Sequence, residues 1–160
     1  MTDPTPQDTR WLSAEEQETW LAIREFMWGY PAALERQNAR DSGLSTGEYS
    51  VLATLSEAEG HRLRAGDAAA DLGWERSRLS HLLRRMEGKG LIERATSSCD
   101  GRGQDVLLTE AGWDAIRAAA PAHVTFVRET IFDSLSTEEQ ELLAGALRKI
   151  REATQARGLW

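Results

Sequence analysis

Three observations predict a mainly α-helical chain carrying one small β-hairpin. Alanine and leucine supply 41 residues against 9 for valine plus isoleucine, a strong bias towards helix formers over β-branched strand formers. Three Ser-x-x-Glu boxes, starting at Ser13, Ser45 and Ser136, each precede an amphipathic stretch and can satisfy the free amides of a first helical turn. Two short runs, residues 91–95 and 104–108, flank a polar glycine-bearing segment, which is the pattern of a hairpin. The 160 residues are 41% hydrophobic and 28% charged, enough for one folded domain with a real core. One cysteine excludes a disulfide scaffold. No apolar run approaches the ~18 residues that span a bilayer, and the first ten residues lack a basic flank and an apolar stretch, so a cytoplasmic protein without a membrane partner is expected.

Each element has its own warrant. Residues 1–12, with Pro4 and Pro6, read as a flexible tail. The first helix begins after Ser13 and extends to about residue 38, with Trp20, Ile23, Met27, Tyr30 and Leu34 as its apolar stripe and a bend expected at Pro31. The second follows Ser45, with Tyr49, Leu52 and Leu55 on one face and an end at Gly60. Residues 64–72 form a short helix of small side chains that stops at Gly73. Residues 75–88 show the clearest period: Leu79, Leu82, Leu83 and Met86 share one side, and Ser77, Arg78, Ser80, His81, Arg84 and Arg85 gather on the other. After the hairpin, Thr109 caps a helix that Pro121 is expected to interrupt, and Ser136 opens the last, lined by Leu142, Leu143, Ala146, Leu147 and Ile150.

The formal charge of −7 argues against nucleic acid only when taken whole. Residues 61–103 hold nine basic and six acidic side chains and are net positive, so the remainder is far more acidic than the total implies. A short helix, a tight turn, an amphipathic helix with a cationic outer face and then a two-stranded hairpin is the order of a winged helix-turn-helix. The cationic helix is slim enough for a major groove, where its arginines can bond guanine edges or phosphates and Ser77, Ser80 and His81 can reach shorter distances. Arg102, at the hairpin tip, would then meet the adjacent minor groove.

Leu44-Ser-Thr-Gly-Glu-Tyr49-Ser-Val-Leu52, Leu82-Leu-Arg-Arg-Met-Glu-Gly-Lys-Gly-Leu-Ile92, and Asp100-Gly-Arg102 ahead of Leu108-Thr109-Glu-Ala-Gly112 together resemble the multiple antibiotic resistance regulator (MarR) family. The resemblance implies a homodimeric transcriptional regulator formed as a single domain over residues 1–160. Residues 44–109 would be the winged helix-turn-helix lobe, flanked by dimerisation helices at 13–40 and 110–156. By position, Ser77, Arg78, Ser80, His81, Arg84 and Arg85 would contact double-stranded DNA, Arg102 would be the wing arginine, and Asp100 would orient it. A two-fold axis implies a pseudo-palindromic operator with half-sites ~34–36 Å apart. A repressor released by a small aromatic or phenolic effector is the reading this supports, and the family's effector cleft makes Trp20, Arg24 and Tyr49 the pocket candidates. Most of the six tryptophans are expected in the core or a subunit interface. Trp74-Glu75 departs from the family, whose members more often carry smaller residues there. Gly66 weakens its helix by ~1 kcal/mol relative to alanine.

Two other functions compete. A winged helix could bind an acidic protein chain instead of DNA, and an inter-helix cleft could hold an enzyme site. No metal-ligand spacing, nucleophile triad, phosphate loop or nucleotide fingerprint is present, so neither catalysis nor a cofactor is expected. Cys99 lies in the hairpin loop near Arg94 and Arg102, whose charges favour a thiolate. Redox-sensing relatives carry their cysteine in the first helix, which disfavours a sensor role for it.

Overall fold

The computed structural model describes residues 9–96 and 103–158. Asp100, Arg102 and Cys99, together with Trp160 and the first eight residues of the expected tail, lie outside the described residues. The elements in chain order are α1 (Ala14–Asp41), α2 (Thr46–Glu57), β1 (Arg62–Arg64), α3 (Ala65–Asp71), α4 (Arg76–Gly88), β2 (Ile92–Thr96), β3 (Gln104–Leu108), α5 (Glu110–Thr130) and α6 (Thr137–Gln155). They fall into two compact units, one ending at Arg36 and one starting at Gln37. No described helix is long and apolar enough to cross a membrane.

In the first unit the Ser13 box forms: the Ser13 amide donates to Glu16 at 2.8 Å, and the Glu16 amide donates back to Ser13 Oγ at 3.2 Å. The helix then passes Pro31 without interruption. Phe26 and Tyr30 stack with ring centroids 4.8 Å apart, one turn apart along the helix. Trp11, Trp20, Ile23, Phe26, Met27 and Trp28 are all exposed. Of the expected stripe, Trp20, Ile23 and Met27 are therefore uncovered, while Tyr30 and Leu34 are half-buried.

The second unit contains the core. Val51, Leu52 and Leu55 of α2, Ala68 and Ala69 of α3, and Leu79, Leu83 and Met86 of α4 are buried together with Ile92, Val106, Ile116 and Ala119. Each fully buried Leu or Met contributes about 1.5–3 kcal/mol relative to an exposed one. The alanines of α3 let α4 approach closely, which is why the short helix consists of small side chains. Ser45 and Ser136 both form complete capping boxes.

Two sequence expectations are corrected here. The sheet has three strands in the order β1-β3-β2, not two, because Arg62–Arg64 pairs antiparallel with β3, with Leu63 opposite Val106. A three-residue Arg-Leu-Arg run shows no period of its own; only its partner makes it a strand. Pro121 does not interrupt α5. A proline removes one backbone bond, but α5 has Ala118, Ala119, Ala120 and Ala122 around its proline, and alanine has the highest helix propensity. Of the five described tryptophans, Trp74 and Trp113 pack partly exposed against the core, while Trp11, Trp20 and Trp28 are exposed in the single chain.

Candidate nucleic-acid interface

The site is built on α4. Gly73, at φ +62°, makes the left-handed turn between α3 and α4, a conformation that glycine adopts without a Cβ penalty. The Trp74 amide closes this turn on the Ala69 carbonyl at 2.8 Å. Past the N-cap Glu75, the helix buries Leu79, Leu83 and Met86 and half-buries Leu82. Ser77, Arg78, Ser80, His81, Arg84 and Arg85 are all exposed, as expected from the period, and Arg76 joins them. The first turn of α4 holds no acidic side chain. Its single carboxylate, Glu87, is occupied by Arg94 of β2, whose Nε donates to it at 2.9 Å. That bond, ahead of the opposing effect of desolvation, holds the Glu87 carboxyl below its usual range.

Two joints fix this helix to its neighbours. The first is Glu48, a carboxylate in the core layer with its side chain only 1% exposed. It receives the Ser45 amide at 2.9 Å and Lys89 Nζ at 2.6 Å, while the Arg85 guanidinium lies 3.9 Å away. Burial alone would raise its pKa, but the bonds from Lys89 and Ser45 outweigh it and the net shift is downward. Arg85 thus keeps an exposed side chain but leans on Glu48.

The second joint explains the Leu-Thr-x-x-Gly run. Thr109 caps α5 by accepting the Gly112 amide at 3.0 Å, and its hydroxyl donates to the Gly90 carbonyl at 2.7 Å. A Cβ on Gly112 would stand 2.0 Å from the Leu91 carbonyl oxygen, so only glycine lets α5 begin there. The chain leaving α4 and the first turn of α5 are in backbone contact.

Beside α4 a groove of about 450 Å³ runs towards the hairpin, with Arg64, Gly66, Asp67, Arg76, Ser80 and Gln104 on its walls. The Arg64 guanidinium lies against Gly103, where a Cβ would come within 2.5 Å of Nη2. At the sheet edge Arg62 Nε donates to the buried Asp105 at 2.9 Å. These contacts brace the base of the hairpin, whose tip is where the sequence reading put Asp100 and Arg102.

The three effector candidates are divided between the two units. Trp20 and Arg24 belong to the first unit, where Arg24 lies over Trp28 with Cζ 4.8 Å from the ring centroid. Tyr49 belongs to the second and stacks on His123 of α5, centroids 4.1 Å apart. Burial, and then the Glu57 charge, raises the Tyr49 pKa; burial lowers that of His123, whose Nδ1 is enclosed without a hydrogen-bond partner. His123 went unnoticed in the sequence because its only relation to Tyr49 is spatial. Among the described residues no group of three or more His, Cys, Asp or Glu is placed to hold a metal ion.

A model described as the MarR family matches residues 42–103, from the start of the winged lobe to the hairpin. The solved structure of Sco3205, a MarR family transcriptional regulator from Streptomyces coelicolor in complex with DNA, is 38% identical, with TM-score 0.89 over 92% of each chain. The chain belongs to the MarR family. AbsC, another MarR family regulator of S. coelicolor, is 37% identical, with TM-score 0.87 over 92% of this chain and 99% of its own. Among curated relatives, the transcriptional regulator HosA of Escherichia coli is 32% identical over 108 residues, 67% of this chain and 77% of its own length. The transcriptional repressor MprA of E. coli K12 is 28% identical over 119 residues, 73% and 67% of the two lengths. In this MarR chain the family's run from Thr109 to Gly112 is the backbone joint described above, and the matched segment holds all of α4.

Proposed function

We propose that the chain is a homodimeric, sequence-specific DNA-binding repressor working in the cytoplasm, in which α4 enters the major groove. The observation that carries this reading is the outer face of α4: three arginines, two serines and a histidine from the sequence reading, all exposed, with no carboxylate among them and buried Leu79, Leu83 and Met86 behind. Arg84 faces solvent with no ion pair among the described residues, which leaves its fork of donors for phosphate or a guanine edge. Arg102 and Asp100 act from the wing in the same reading. Support comes from Sco3205, whose solved structure is a DNA complex, and from MprA, which is named a repressor.

The second copy is proposed to cover the apolar faces of α1 and α6, so that the winged lobe and its flanking helices act as one module. Exposed apolar area of this extent marks an interaction surface in a folded chain. For the effector, an aromatic or phenolic molecule is proposed, with Tyr49 as its contact and the enclosed His123 Nδ1 as a nearby polar atom. Only a molecule that binds the DNA-incompatible arrangement more tightly can release the operator.

The test is a mobility shift with duplex flanking the protein's own reading frame, repeated for Arg84→Ala with Arg102→Ala. Wild-type affinity should fall linearly with salt on log axes, and the double variant should bind at least about tenfold more weakly with a shallower slope. Equal binding by wild type and variant removes these residues from the interface; binding of an acidic protein but no duplex establishes the competing function.

A further inference from the structure

We propose that Trp74 is a positioning residue for Arg78, presenting its guanidinium from the first turn of α4 to a base edge or phosphate; this rests on the DNA-binding reading above. Arg78 Cζ lies 4.6 Å from the centroid of the Trp74 ring. The ring belongs to the residue before the N-cap and the arginine to the first turn, so the stack spans the entrance of the helix. Residues at this end of a recognition helix are the ones that reach base edges.

The indole is itself held. Its backbone amide is bonded to Ala69, and its Cη2 lies 3.5 Å from where a Cβ would stand on Gly47, in the first turn of α2. A Cβ at Gly47 would also press on Leu82 at 3.2 Å, so Gly47 gives the ring and that leucine their room. Three elements thus converge on the ring: the turn after α3, the first turn of α2 and α4. No ion pair engages Arg78 among the described residues.

The chemistry favours a platform. A free arginine must surrender rotamer freedom before its planar fork can bond two acceptors, and stacking on an indole restricts that freedom in advance. The contact uses the face of the guanidinium and leaves its in-plane N–H donors open for a guanine edge or phosphate. This gives a role to the bulky side chain at 74.

The experiment selects a duplex from a random library with the wild-type protein. It then measures affinity for that duplex by fluorescence anisotropy at several salt concentrations, for wild type, Trp74→Phe, Trp74→Leu, Arg78→Ala and the Trp74→Leu/Arg78→Ala double variant, with thermal melts of each. Arg78→Ala should weaken binding by about tenfold or more. Trp74→Leu should lose about fivefold, and Trp74→Phe less than about threefold, because phenylalanine still offers a ring face. The double variant should bind no more weakly than Arg78→Ala alone. An Arg78→Ala effect of undiminished size in the Trp74→Leu background overturns the proposal, because a purely architectural tryptophan leaves the two losses additive. Should Trp74→Leu melt below the assay temperature, the same comparison is made in Trp74→Phe, where the Arg78→Ala effect should shrink. If the wild type selects no duplex at all, the DNA-binding reading itself fails; selection without coupling sinks only the role of Trp74.

Discussion

The winged lobe and the terminal helices carry the same kind of apolar stripe with opposite outcomes. In the lobe, Leu52 is 0% exposed and Leu55, Leu79 and Leu83 are each at 1%. On α6, at the same helical spacing, Leu143 is 43% exposed, Leu147 57% and Ile150 51%, and α1 carries Met27 and Trp28 at 58% and 69%. A period of 3.6 states that a face wants to leave water, and is silent on which chain will cover it. The lobe finds its cover within its own chain; the terminal helices await the second copy proposed above.

The sharpest way to break the contrast is to empty one site on each side. Leu52→Ala should cost about 2–5 kcal/mol and lower the melting temperature by roughly 5–15 °C at every protein concentration, as calorimetry over a hundredfold dilution range will register. Leu143→Glu with Leu147→Glu should leave the lobe folded and abolish dimers in sedimentation equilibrium. Affinity for a two-half-site duplex should then drop by about 10²-fold as avidity is lost. A double variant that stays dimeric would take α6 out of the interface.

The smallest effect concerns the buried carboxylate that ties α2 to α4. Folding lowers the Glu48 pKa, so its contribution to stability is present above the ordinary carboxylate value near ~4.3 and is lost as the pH falls through the lowered one. Lys89→Ala should therefore cost about 1 kcal/mol at pH 7, with the gap from wild type closing below about pH 4 in urea melts run at each pH. A gap independent of pH would mean that Lys89 acts by packing alone.

What could be read from residues follows the range of the interaction. The boxes at Ser13, Ser45 and Ser136 were legible because a side chain meets a backbone amide three positions away, and α4 was legible because its two faces are written every three or four residues. Trp74 over Arg78 was within reach of the same spacing. β1 was not, since Arg62–Arg64 owes its form to strand partners more than forty residues on. Glu48 reads as an ordinary capping acid; its burial and its bond to Lys89 are products of packing, as is the meeting of Tyr49 with His123. Pro121 was overweighted, because a local rule omits the alanines that sustain α5 around it. The lobe's fold was thus largely in the text, whereas the supports of α4 were tertiary.

The seam between Leu91 and Gly112 has a mechanical meaning. Where main chain abuts main chain without an intervening side chain, there is no rotamer to yield and no compressible layer to absorb a push. The start of α5 and the turn that leaves α4 thus meet as a stiff joint, one with little room for either to tilt without the other.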